Sequence, residues 1–95
     1  MTELQRALYI LMDIGREPAS SSYLRTRYGI SPATLKRDIA FLRHYGANIE
    51  SYRAGANHLY RCANFDRVRE YAARWIEIEE RCSLLPRSDR IGSQA

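Results

Sequence analysis

The 95-residue sequence predicts a mainly α-helical fold carrying one small β-hairpin. Three observations carry that expectation. Apolar residues recur at helical spacing in four separate stretches, the period switches to strand-like alternation only between residues 48 and 63, and Ser, Thr, Pro and Gly stand where helices start and stop.

Each element follows in order. Leu4, Ala7, Leu8, Leu11, Met12 and Ile14 form the apolar face of a first helix, with Thr2 able to cap it and an end expected near Gly15. "REPASSSY" is a polar, proline-containing connection, after which Ser20, Ser21 or Ser22 caps a short second helix through Tyr28, closed by Gly29. Its inner face is expected to be Tyr23, Leu24 and Tyr28. Ser31 caps a third helix that begins at Pro32, where the missing N–H costs nothing. Leu35, Ile39 and Leu42 mark the buried side of that helix, Ala33, Arg37, Ala40 and His44 the opposite side, and Gly46 the end. "NIESYR", "AGAN" and "HLYRCA" then read as strand, turn and strand. Tyr52 and Tyr60 are expected to pack this hairpin onto the helices.

A hairpin directly after a helix-turn-helix is a wing, so residues 1–63 are expected to form a winged helix-turn-helix. Residues 64–85 return to helical spacing, with Asn64 as a possible cap. Val68, Trp75 and Cys82 lie seven apart, and Tyr71, Ile78 and Leu85 fill the other heptad register, which makes a seam suited to homodimerisation; the same seam could instead cover the first helix. Pro86 stops the helix, and residues 86–95 have the composition of a flexible tail.

Composition narrows the function classes. The chain is 45% hydrophobic without an apolar run long enough to span a bilayer, and its first residues lack the pattern of a signal peptide. Cys62 and Cys82 have neither metal-ligand spacing nor the number of a secreted disulfide scaffold, so a reducing cytoplasm is the expected setting. His44 and His58 are the two histidines, and no phosphate-binding glycine loop or nucleophile elbow is present. No catalytic residue, metal, cofactor, membrane partner or small-molecule effector is expected. The net charge is +4, and it is uneven: residues 16–61 hold eight Lys and Arg against three acids, whereas residues 65–82 hold four against five. The middle of the chain carries the positive field that a polyanion would meet.

The stretch "ISPATLKRDIAFLRHYGANIES" resembles the N-terminal DNA-binding module of the DeoR-type and WYL-domain transcriptional regulators of bacteria. With the first helix and the hairpin included, the resemblance covers roughly two-thirds of the chain. Those regulators continue into a ligand-sensing domain, whereas the wing here is followed by one helix and a tail. The resemblance implies operator binding as a repressor or local regulator, and the expected location is the cytoplasm, in association with the nucleoid.

Read from the residues, the third helix suits a major groove, because its outward face is small and basic near its start. Ser31, Ala33 and the first free N–H groups can meet a phosphate, Thr34 and Arg37 can reach base edges, and Lys36 suits the backbone. Ser21 and Ser22 at the mouth of the second helix are further phosphate contacts, and Arg53 and His58 beside the hairpin turn can enter the minor groove. Asp38 is expected to pair with Arg25 or Arg27, or to cap locally. The alternative is a winged-helix module that binds another protein and no DNA. Binding of single strands would instead require Tyr52 and Tyr60 to be exposed.

Overall fold

The computed structural model describes residues 2–84, apart from the side chains of Glu79, Cys82, Ser83 and Leu84. The fold is mainly helical with a small antiparallel sheet, in the arrangement of a helix-turn-helix followed by a hairpin wing. In chain order the elements are α1 (Glu3–Arg16), β1 (Ala19–Ser20), α2 (Ser21–Tyr28), α3 (Pro32–His44), β2 (Ile49–Ala54), β3 (Asn57–Cys62) and α4 (Phe65–Leu84). Leu85, the residues 86–95 and the Cys82 side chain lie outside the described residues.

α1 is the helix around which the others pack. Thr2 and Gln5 form a reciprocal capping box: Thr2 Oγ1 accepts from the Gln5 N–H at 3.0 Å, and Gln5 Oε1 accepts from the Thr2 N–H at 2.9 Å. The pairing satisfies the N–H and Oε1 of Gln5, which is buried. Ala7, Leu8, Leu11 and Ile14 are buried as their spacing predicts, but so is Ile10, which that stripe omits, while Leu4 and Met12 are only half-buried. The cause is topological. α1 packs against α3, α4 and β3 together, so its apolar arc is wider than that of a helix covered on one side. The helix runs through Gly15 to Arg16, and Phe65 at the start of α4 lies where a Cβ on residue 15 would have to sit. Gly15 is thus a point of close helix approach and not a stop.

α2 and α3 start and end on their caps. Ser20 caps α2 by accepting from the Tyr23 N–H at 3.0 Å, which places Ser21 and Ser22 inside its first turn. Gly29 closes it with φ 62°, a left-handed conformation that favours glycine. Ser31 caps α3 and Pro32 is its first residue, with Leu35, Ile39 and Leu42 in the core. Leu24 is fully buried in α2, but Tyr23 is not part of the inner face and stands 50% exposed. Tyr28 is half-buried, with its hydroxyl donating to Asp13 of α1.

The hairpin turns at Gly55 and Ala56, with Ala54 opposite Asn57 and Gly55 at φ 65°, the sign that the first central position of a primed two-residue turn requires. The sheet has a third strand. β1 pairs with β3, Ala19 opposite Tyr60 and Ser20 opposite Leu59, so the order is β1-β3-β2. Period 2 then divides the two tyrosines. Tyr60 shares a face with Ile49 and is buried, whereas Tyr52, opposite Leu59 on the other face, is 38% exposed and does not join the core.

α4 lies along α1. Ala72 is buried there, with Phe65, Val68 and Ile76 packed beside it, and Tyr9 near the middle of α1 donates to Glu80. The Asn64 side chain does not cap α4. Its Oδ1 accepts from the Asn48 N–H at 2.8 Å and its Nδ2 donates to the Gly46 carbonyl at 2.9 Å, tying the segment after α3 to the start of α4.

Candidate nucleic-acid interface

The candidate interface is assembled from the outward side of α3, the first turn of α2 and the hairpin tip. On α3, Ser31, Ala33, Lys36, Arg37 and Ala40 are exposed and Thr34 is half-buried, opposite the core stripe of the same helix. Ser31 accepts from the Thr34 N–H at 3.1 Å and donates to Thr34 Oγ1 at 3.0 Å. Their hydroxyls therefore complete the cap first and present the helix start as one unit.

The cations of the basic segment differ in their partners, and Arg16 and Arg53, like Lys36 and Arg37, have no ion-pair partner among the described residues. Arg27 Nε lies 3.0 Å from Asp13 Oδ2, Arg61 Nε 2.6 Å from Glu50 Oε1, Arg43 Nε donates to the Ile49 carbonyl at 3.0 Å, and Arg25 Nε reaches Ser21 Oγ at 3.4 Å. Arg27 and Arg61 are thus paired with acids at the surface, whereas Arg43 and Arg25 are held by neutral oxygens and keep their charge. Lys36 and Arg37 are exposed within two turns of the positive end of α3, and among the described residues neither has an ion-pair partner.

Asp38, next in sequence, points the other way. It is buried, and its partner is Arg6 of α1 rather than Arg25 or Arg27: Arg6 Nε donates to Oδ2 at 2.6 Å and Nη2 to Oδ1 at 3.0 Å. This hydrogen-bonded carboxylate raises the Arg6 pKa against the opposing effect of burial. The side-on geometry fixes α3 against α1 in both rotation and register, and so fixes where Lys36 and Arg37 aim.

A second network holds α2. Asp13 accepts from Tyr28 at 2.6 Å while pairing with Arg27, and burial followed by the Asp13 hydrogen bond pushes the Tyr28 phenol up to about 12. Ser21 is half-buried and engaged with Arg25, whereas Ser22 is exposed.

At the wing, Arg53 and His58 lie directly opposite each other across the hairpin, both exposed and one residue pair from the turn. They share a face with Tyr60, whose ring centroid is 5.1 Å from that of His58. β1 connects this wing to the helices, since Ser20 both pairs with β3 and caps α2. A two-residue strand has too few positions to display a period, which is why the sequence does not reveal this link.

Of the heptad seam, the described side chains divide between two roles. Val68 packs on the core, whereas Tyr71, Trp75 and Ile78 are 53%, 38% and 38% exposed. Phe41 and Tyr45, at the end of α3, are also exposed, with ring centroids 4.8 Å apart and planes tilted by 50°. Sequence reading missed this pair, although two aromatics at i, i+4 beside the Leu35, Ile39 and Leu42 stripe are a legible signal.

Among the described residues no helix is long and apolar enough to cross a membrane, and no group of His, Cys, Asp or Glu is placed to hold a metal ion. Comparison of the chain with protein-family models, with curated proteins and with solved structures finds no match.

Proposed function

We infer that the protein is a sequence-specific regulator of transcription that binds double-stranded DNA, reads the major groove with α3 and represses as a homodimer. The observation that carries this reading is the pair Lys36 and Arg37. They are exposed and without an ion-pair partner among the described residues, on a capped helix whose other side is locked to the core, while Arg27 and Arg61 are paired with acids of the fold. Arg37 is the reader, able to take guanine bidentately at about 1–3 kcal/mol of discrimination. Lys36 is an anchor on the backbone. Ser31, Ala33 and Thr34 bring the start of α3 to a phosphate, Ser22 and the free N–H groups of α2 meet the next one, and Arg53 and His58 brace the neighbouring groove.

The resemblance of residues 29–60 to the DeoR-type and WYL-domain modules supports the same reading, with a bacterial cytoplasm and the nucleoid as the proposed setting. The half of the α4 seam left open, at Tyr71, Trp75 and Ile78, supports the dimer, which sets the spacing of two half-sites.

The test is selection of bound duplexes from a random pool. The parent enriches a short motif, expected as an inverted repeat. Arg37→Ala flattens one position of each half-site, whereas Lys36→Ala keeps the motif and weakens every sequence alike. Enrichment of the same motif with the same strength by both variants contradicts the assignment of α3.

A further inference from the structure

The exposed aromatics of α3 and α4 border one apolar groove. Phe41 and Tyr45 line it from the end of α3, Tyr71 and Trp75 from α4, and leucines of α1 form part of its floor; among the described residues no charged one lines it. Its volume is about 170 Å³, the size of a cavity that takes one benzene ring, about 150 Å³, and well below the roughly 300–1,000 Å³ of a site for a whole small-molecule ligand. The groove therefore fits one apolar side chain.

We propose that this side chain comes from a second copy of the same chain, so that the dimer interface combines the α4 stripe with the C-terminal end of α3. The proposal rests on the dimeric part of the function inferred above and gives it a specific surface.

Three features select a second copy. The first is self-complementarity: the face that contains the hole also carries a knob, Ile78, one turn beyond Trp75 and 38% exposed, and a two-fold pair needs both on one surface. The second is area. Phe41, Tyr45, Tyr71, Trp75 and Ile78 are between 37% and 61% exposed, which at about 150–250 Å² for a whole aromatic side chain leaves roughly 400 Å² to cover on each copy. Two copies bring that to roughly 800 Å², against the about 1,000 Å² that a specific interface clears. Arg67 and Arg74 are exposed and flank the stripe by heptad spacing, where their stems would add to this area. The third is charge. α4 is close to neutral, with four arginines against five acids over residues 65–82, so it neither repels a copy of itself nor attracts a polyanion.

Phe41 stands one helical turn after Arg37, so covering the groove also holds α3 beside its reading face. Dimerisation and the aim of Arg37 become linked.

The experiment is sedimentation equilibrium on the full chain without DNA, read beside the emission of Trp75, the sole tryptophan. The parent is expected to dimerise, and Trp75 emission to shift to the red on dilution in step with dissociation. Phe41→Ala with Tyr45→Ala is expected to weaken the dimer by about 30-fold or more, the loss of one buried aromatic anchor, as is Trp75→Ala. A dimer weakened by Trp75→Ala but indifferent to the α3 pair overturns the composite groove and leaves dimerisation through α4 standing. Trp75 emission that stays constant while the parent dissociates overturns it too, without any variant having to fold. A parent that is monomeric at every concentration overturns both this proposal and the dimeric reading.

Discussion

At the scale of single residues, the orientation of α3 depends on a charge pair that never faces solvent fully. The side chains of Arg6 and Asp38 are 18% and 7% exposed and meet through two hydrogen bonds. Removing one member leaves the other unpaired and poorly hydrated, so Asp38→Ala is expected to lower stability by about 3 kcal/mol, which denaturant unfolding measures. Replacing both at once, as Arg6→Met with Asp38→Leu, restores most of that loss, because the pair's Coulomb gain largely offsets its own desolvation. A single variant as stable as the double one contradicts this account. The sequence signals that Asp38 is structural, since it adjoins the core stripe, but not which arginine it meets. Arg6 is 32 residues away, and only the packing of α1 on α3 brings them together. Arg37 was legible for the opposite reason: helical phase alone puts it on the outward side, with Lys36 on the flank.

At the scale of elements, caps and turns carried most of what could be read. Ser31, Pro32 and Gly29 bound α2 and α3 through local chemistry, which needs no tertiary partner to be recognised. Tertiary contacts account for what was hidden: Ile10 is buried because α1 has three neighbours, Tyr52 is exposed because of strand phase, and β1 is too short to show a pattern. Gly15 belongs to this group. In a helix interior Gly→Ala ordinarily stabilises by about 1 kcal/mol. At position 15 the added methyl meets the Phe65 ring at the α1–α4 crossing, so Gly15→Ala is expected to lower the unfolding midpoint instead, and Phe65→Leu in the same chain to relieve part of that loss. A midpoint raised by Gly15→Ala contradicts the close approach of the two helices.

At the scale of the whole molecule, the chain separates its charges. Residues 16–61 hold the excess of cations on the helix-turn-helix and wing, and α4 carries an apolar stripe among balanced charges. The first suits a polyanion and the second suits another protein surface. The half of the heptad seam that contacts α1 could not be told from the half left open by spacing alone, because Val68, Tyr71, Trp75 and Ile78 form one continuous apolar arc in sequence. Only the position of α1 divides it. The central claim is that the positive side meets duplex DNA, and fluorescence anisotropy of the parent on a random-sequence duplex at a series of salt concentrations tests it most directly. Counterion release predicts binding at micromolar protein that weakens linearly in log–log form as salt rises, with the slope shallower by about one for Lys36→Ala. No binding at low salt, or binding indifferent to salt, contradicts the claim and favours a winged-helix module whose partner is a protein.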